Sequence, residues 1–438
     1  MYNHMVVYNM DASLSARGRC DGPMREGAHH MKQDGPGQVT AVFGQHDPRT
    51  LEQLHDVASK AAYVALMADG HAGYVMPIGG VAAYRDQVSV PGVGYDIACG
   101  NAAIATDRFV EDYTRQDLDG IADEIAATIS FGVGRSNRAD DAPVDHSLFE
   151  SHAWSLLPGE AKTATLLEKA RQQLGTVGSG NHYVDVFADR SDGRIWVGVH
   201  FGSRGLGHTI ASGFLALAAN RKWGERVRES EALLDLDAPI GSDYWSLMTL
   251  AGQYAYAGRE WVARKVAGIL GASEVELIHN HHNFSWKEEH FGEKLVVVRK
   301  GATPAFPGQK GFIGGSMGDD AVIVQGAAND PEQPRALFST VHGAGRVMSR
   351  TQARGKLKGW GPRARIVSPG LISQEMLDAW IAERGVILRG GGLDEAPQAY
   401  RRLPEVLTSH GTTIEILHVL RPLIVVMAGA SEFDPYKD

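Results

Sequence analysis

Glycine interrupts this chain at the ends of short apolar runs. It does so most tightly in Gly92-Val93-Gly94-Tyr95-Asp96-Ile97-Ala98-Cys99-Gly100, directly after the apparent strand Val88-Ser89-Val90. The 52 glycines among 438 residues gather in such clusters rather than in low-complexity tracts. Many backbone positions must therefore need positive φ or a close approach to a ligand. The segment sets Asp96 and Cys99 three apart in one turn, and Cys20 is the only other cysteine. A carboxylate and a thiolate aimed from one turn make a metal corner, since both are anionic ligands. The same pair also describes a buried cysteine beside a turn-capping aspartate. The remaining ligands have to come from elsewhere in the chain.

The length suits two to three domains by size alone, and 43% hydrophobic with 22% charged residues is ordinary globular composition. Two cysteines exclude a disulfide framework and fit a reducing compartment. The most apolar stretch, Leu423 to Ala430, is too short to span a bilayer. The start lacks a basic region followed by a long apolar core. A cytoplasmic protein with no membrane partner is expected. A net charge of −9 argues against broad nucleic-acid coating but leaves room for a local basic groove.

Residues 1–45 lack periodic pattern and are expected to be a loosely tied N-terminal extension, with one domain over 46–438, since no Pro/Ser-rich linker cuts the chain after residue 50. Residues 48–106 alternate short apolar runs with glycine turns and predict strands at Tyr63–Met67, Gly79–Tyr84 and Asn101–Thr106. Helical spacing predicts Arg115–Ser130, Glu160–Leu174, His208–Ala219, Asp243–Ile269, Ser373–Arg384 and Thr412–Leu420. Strands are predicted at Asn181–Phe187, Ile195–Phe201, Leu295–Arg299 and Ala321–Gln325. The two element types interleave without a regular βαβ period, so the expected class is α+β rather than a doubly wound sheet.

Four histidine segments stand at predicted strand ends or turns: Gly178-Ser179-Gly180-Asn181-His182, Val199-His200-Phe201-Gly202-Ser203-Arg204-Gly205, His279-Asn280-His281-His282-Asn283 and Val341-His342-Gly343-Ala344-Gly345-Arg346. A lone histidine is more often a hydrogen-bonded structural residue. Four flanked by Gly or Asn, added to Asp96 and Cys99, would satisfy one or two metals. Mixed Cys/His/Asp donors suit zinc, iron or manganese alike, and one thiolate can bridge two ions about 4 Å apart, a device of phosphoryl transfer. After His342 the chain turns basic, with Arg346 and Arg350 on one face if Gly345–Arg354 is helical. A helix N-terminus there, with the arginine pair and Arg204, would suit phosphates. Lys32-Gln33-Asp34-Gly35 matches the lysine element of covalent nucleotidyltransferases, but it is short, has no strand to hold it, and is set aside.

Asp-x-x-Cys-Gly, Gly-x-Gly-Asn-His, His-x-Gly-Ser-Arg-Gly, His-His-Asn, His-Phe-Gly-Glu followed by Arg-Lys-Gly-Ala, Gly-Ser-Met-Gly and His-Gly-Ala-Gly-Arg-x-Met-Ser-Arg occur in that order. This series resembles the RtcB family of RNA-splicing ligases from about Asp47 to Gly429. The resemblance implies a GTP- and Mn²⁺-dependent ligase that joins RNA 3′-phosphate or 2′,3′-cyclic phosphate ends to 5′-hydroxyl ends, with an archease-type activator as a partner. By position it implies two manganese ions, one held by Asp96, Cys99 and His182 and one by Cys99, His200 and His282. His342 would be the nucleophile that takes GMP. Asn181, Asn283, Ser316, Ala344, Gly345 and Tyr400 match nucleotide-contacting positions. Arg204, Arg346 and Arg350 match positions suited to RNA phosphate, and Asp69, grouped with them, an acidic residue ahead of the metal turn.

Two departures from the family pattern fall on recognition of the base. Met427-Ala428-Gly429 stands where a Lys-Gly pair is usual, and Asp185 where a glutamate is usual. A site that loses hydrogen-bond partners to a base discriminates less, so the expectation is retained chemistry with relaxed nucleotide preference. Lys437 is a candidate replacement for the ammonium, and Gly314 for proline is a minor change. Two other readings stand beside ligation: an RNA 3′-end nucleotidyltransferase or phosphatase paralogue, and a non-catalytic RNA-end-binding protein.

Overall fold

The computed structural model describes residues 37–228, 230–359, 365–430 and 432. The first described strand, Gln38–Val42, pairs in parallel with Tyr63–His71. Residues 38–42 therefore belong to a sheet rather than to the expected loose extension. Its threonine explains why, since the buried Thr40 hydroxyl hydrogen-bonds the carbonyls of Val64 and Arg335. The Lys32–Gly35 element lies outside the described residues, as does Lys437.

Two large sheets carry the architecture. In the five-stranded sheet, Gln38–Val42 is followed in space by Tyr63–His71, Ile78–Tyr84, Glu293–Lys300 and Asn283–His290. The larger, eight-stranded sheet runs Lys310–Ile313, Ala321–Gly326, Ile414–Gly429, Tyr183–Asp189, Arg194–Phe201, Gly100–Phe109 and Glu274–His281, with Ile387–Gly391 attached in parallel to Ile414–Gly429. Parallel and antiparallel pairs mix, and the class is α+β as expected.

Helix Pro239–Ile269 is the main covering element. Its buried stripe of Tyr244, Leu247, Met248, Ala251, Tyr254, Ala255, Val262 and Val266 follows the helical repeat. One part joins Leu54, Val64, Val298 and the helix Arg204–Ala218, while the other joins Ile104, Val197 and Val199 of the larger sheet. Each fully buried aliphatic chain in these cores contributes about 1.5–3 kcal/mol.

Three expectations need correction. Pro48–Ala58, within the stretch expected to be strands, is a helix, capped by Asp47 accepting from the Thr50 amide at 3.0 Å with proline in its first turn. Thr412–Leu420, expected as a helix, begins the 16-residue strand Ile414–Gly429. Gly345–Arg354 is helical only over Arg350–Arg354. Gly345 has φ +75°, outside the helical region, and Arg346 forms a bridge to Tyr400. No helix start therefore lies beside His342. Among the described residues, no helix is long and apolar enough to cross a membrane.

Candidate active site

Strand register brings the sulfur and the imidazoles together. Gly100 is paired with Phe201 on one side and His281 on the other. Cys99, His200 and His282 each adjoin one of these three residues in sequence, so three strand ends converge on one spot. Tyr183 pairs with His200, which adds His182 from the next strand end. Gly100 has no room for a side chain, since a Cβ there would lie 2.1 Å from the Asn280 carbonyl oxygen. The close approach of the strands explains the glycine.

The donors sit at coordination spacing. Cys99 Sγ is 3.3 Å from His200 Nε2 and 3.6 Å from His182 Nε2. His200 Nε2 is 3.4 Å from His282 Nε2, and Asp96 Oδ2 is 3.1 Å from His182 Nε2. Two bonds of about 2.1 Å to a common ion, at a tetrahedral angle, span roughly 3.4 Å. The five residues form two groups, Cys99 with His200 and His282, and Asp96 with Cys99 and His182. His200 Nδ1 hydrogen-bonds the Asn181 carbonyl at 2.9 Å, fixing the tautomer that leaves Nε2 a lone pair. Burial, then the neighbouring His182, pushes His200 down to about 3. Burial, with His342 and His200 nearby, holds His282 well below the usual histidine range. Both rings are thus neutral donors. Burial, then the Asp96 charge, pushes the Cys99 thiol well up, a shift that a coordinated cation reverses. A thiol, a carboxylate and three imidazoles at these distances fit two divalent ions sharing Cys99.

Glycines shape this nest. A Cβ on Gly202 would meet Asp96 Oδ1 at 2.3 Å, and one on Gly178 would meet His182 Nδ1 at 2.2 Å. The Ser203 hydroxyl bonds the Ile97 carbonyl at 2.5 Å, tying the turn to the strand end that carries His200.

His342 follows the strand Ser339–Val341, which pairs with Ala302–Pro304. Its ring lies 4.9 Å from that of His282, centroid to centroid. Its Nδ1 is 2.6 Å from Asp69 Oδ2, and the same oxygen accepts from the backbone amides of His342 at 3.0 Å and Gly343 at 3.2 Å. Asp69 is fully buried. Burial alone would raise its pKa, but the His342 imidazole and amide hold it below the usual carboxylate range. Asp69 therefore supports His342 from beneath rather than facing RNA phosphate. That contact lies on the Nδ1 side of the ring, away from Nε2.

A cavity of about 770 Å³ opens beside His342. Asn181, Asp185, Asn283, Ser316, Ala344, Gly345 and Tyr400 all line it, as do Asp96, His200, Arg346 and Arg350. Asn283 also accepts from the Gly301 amide at 2.7 Å, fixing the turn against His342. Asp185 Oδ1 is buried without a hydrogen-bond partner, and burial pushes its carboxyl well above the usual range. Met427 lines the same wall, and Ala428 is buried.

The arginines are not held by a shared helix face. Arg346 reaches Glu395 Oε2 at 2.6 Å and the Tyr400 hydroxyl at 2.8 Å, and Arg350 reaches Glu395 Oε1 at 2.8 Å. Glu395 also receives the Tyr400 hydroxyl. Sequence reasoning missed Glu395, whose setting between glycines and an alanine carries no pattern. Arg204 lies beside the donor nest, where its charge helps to lower Asp96, and it donates to the Gly132 carbonyl at 3.0 Å and to Thr176 Oγ1 at 3.3 Å.

The family described as tRNA-splicing ligase RtcB matches this sequence over residues 51–428. The tRNA-splicing ligase RtcB of Thermococcus kodakarensis is 31% identical over 85% of this chain and 90% of its own length. That of Archaeoglobus fulgidus is 31% identical over 89% and 94%. The RNA-splicing ligase RtcB of Escherichia coli is 30% identical over 83% and 90%.

Proposed function

The chain belongs to the RtcB family, and on that premise we propose that it is an RNA ligase joining 3′-phosphate or 2′,3′-cyclic phosphate ends to 5′-hydroxyl ends through a histidine–GMP intermediate on His342. One observation carries this reading: His342, with Nδ1 2.6 Å from buried Asp69, lines the same cavity as the donor nest, its ring beside that of His282. Binding of an RNA end alone has no need of such an activated nitrogen.

In the proposed sequence, His342 Nε2 attacks the α-phosphorus of GTP. A P–N bond forms, the α–β anhydride bond breaks and pyrophosphate leaves. The RNA 3′-phosphate oxygen, which in a 2′,3′-cyclic end is first freed by water breaking the P–O2′ bond, then displaces His342, giving an RNA-ppG end. The 5′-hydroxyl attacks the RNA phosphorus of that anhydride, GMP leaves, and a phosphodiester remains. Asp69 stabilises the imidazolium that develops in the first step. Asn181, Asn283, Ser316 and the backbone at Ala344–Gly345 are the polar wall for the nucleotide. Two Mn²⁺ ions, one at Asp96/Cys99/His182 and one at Cys99/His200/His282, would supply charge stabilisation at phosphate oxygens.

The base is the place for a difference within the family. Asp185 pairs with Val425 on the strand that also carries Met427, and burial pushes its carboxyl well above the usual range. Relaxed discrimination between GTP and ATP belongs to the same proposal, as does a cytoplasmic location, which the two-cysteine composition supports.

Incubation with Mn²⁺ and each α-labelled nucleotide tests the chemistry. An acid-labile, alkali-stable adduct is expected, absent in His342→Ala. No adduct with any nucleotide overturns the reading. Adding RNA with 3′-phosphate and 5′-hydroxyl ends separates ligation from end-capping. Labelling by GTP alone overturns the relaxed preference.

A further inference from the structure

One guanidinium lies behind the donor nest and touches the sequence neighbours of three of its members. Arg259, on the helix Pro239–Ile269, is fully buried. Its Nη1 donates to the Ala98 carbonyl at 2.9 Å and the Phe201 carbonyl at 2.6 Å. Its Nη2 meets His281 Nδ1 at 2.8 Å, and Nε donates to His279 Nε2 at 2.9 Å. Ala98 precedes Cys99, Phe201 follows His200, and His281 precedes His282. The Tyr256 ring stacks on His281 at 3.8 Å between centroids, closing the far side of the fork.

We propose that Arg259 is the positioning residue for the ion held by Cys99, His200 and His282, acting on that ion in preference to the one at Asp96 and His182. The inference rests on the reading above that these side chains hold divalent cations. A planar fork with fixed donor directions sets three backbone segments at once, which a flexible ammonium does not. Ala98 has φ +61°, a left-handed conformation that a side chain adopts only where its surroundings enforce it. Arg259 bonds the carbonyl of that very residue. Cys99, reached through Ala98, belongs to both sets, so the selectivity rests on Phe201 and His281, the neighbours of His200 and His282, to which Asp96 and His182 have no counterpart among its hydrogen-bond partners.

Calorimetric titration of the full chain with Mn²⁺ alone tests this, in two backgrounds. His182→Ala keeps the set of Cys99, His200 and His282, and His282→Ala keeps Asp96, Cys99 and His182. Arg259→Lys is expected to weaken Mn²⁺ binding about 10- to 100-fold in the first background and less than about threefold in the second. Equal weakening in both, or none in either, overturns the proposal. An unmutated chain that takes up no Mn²⁺ overturns the metal reading beneath it, a distinguishable result. Melting curves of the metal-free variants report the fold. Where Arg259→Lys does not fold, His281→Gln, which alters only the branch beside His282, replaces it, with the same selective loss expected. Failure of both to fold marks Arg259 as architectural and overturns the proposal.

Discussion

At the scale of single residues, the working parts are side chains whose charge is defined by one or two neighbours. Asp69 accepts two backbone amides and contacts the His342 ring with the same oxygen. Asp69→Asn keeps the shape and removes the charge that favours the imidazolium. Single-turnover adduct formation should fall about 10²- to 10⁴-fold, with Mn²⁺ affinity unchanged; an unchanged rate would sink Asp69 as the support of the nucleophile. Cys99→Ala removes the one donor common to both groups. It should abolish adduct formation and at least one Mn²⁺ site in calorimetry, while stability changes by no more than about 2 kcal/mol because the deleted group is small. Retention of both sites would refute the bridge. Residue types at glycine-rich turns marked Asp96, Cys99 and four histidine segments in the sequence, and the family resemblance singled out His282 and His342 within them. Asp69 was legible only as an acidic position, because its partner is 273 residues away and only the folded chain joins them. Arg259 was illegible for another reason: it stands in an apolar helical stripe, where sequence pattern shows only an interruption.

Elements decide how those residues meet. The strands Gly100–Phe109, Arg194–Phe201 and Glu274–His281 align their ends; the alternation of apolar runs with glycine predicted the first, Ile195–Phe201 was also expected as a strand, and the third was not. Thr412–Leu420 misled because Ile414, Leu417 and Leu420 fall at helical spacing. Pairing with Ala321–Gly326 and Tyr183–Asp189 overrides that spacing, and Ile416 and Leu417 are left partly exposed at the start of the strand. The segment after His342 shows the reverse case. Arginines four apart suggested a helix face, whereas Gly345 turns the chain and Glu395 gathers the two cations. Gly345→Ala tests the turn. Its Cβ would lie 2.5 Å from the Asp69 carbonyl oxygen at φ +75°. The left-handed backbone costs about 1–2 kcal/mol, and relief of the clash displaces Asp69 beneath His342. A lowered melting temperature together with at least tenfold slower adduct formation is expected. Unaltered kinetics would show that the turn and the nucleophile are uncoupled.

The whole molecule keeps several histidines neutral in its interior, and this sets how its stability depends on pH. Burial pushes His410 down to about 4 and His200 to about 3, and it holds His279, His281 and His282 well below the usual range. In the unfolded chain these rings take up protons below about 6.5. Their contribution is therefore fully present above that value and is lost as pH falls toward the folded values of about 4 and 3. Each such ring removes up to about 1.4 kcal/mol per pH unit within the window. Asp69 and Asp96 are held below the usual carboxylate range, so they act in the same direction but only in stronger acid. Asp185, raised by burial, acts oppositely, since its folded proton is lost as pH rises. Asp319 is raised likewise, while His71 and His208 join the lowered histidines, so two carboxyls stand against seven imidazoles. Urea midpoints of the metal-free chain should decline steadily from pH 7 to pH 5, well before carboxylate titration. A flat profile over that interval would mean that the interior histidines are not neutral. Mn²⁺ should raise the midpoint at pH 7 and raise it less at pH 5, because His200 and His282 bind a cation only as neutral rings and the unfolded state competes for their protons. An equal Mn²⁺ increment at both pH values would place the ion on carboxylates alone and remove the histidines from the site.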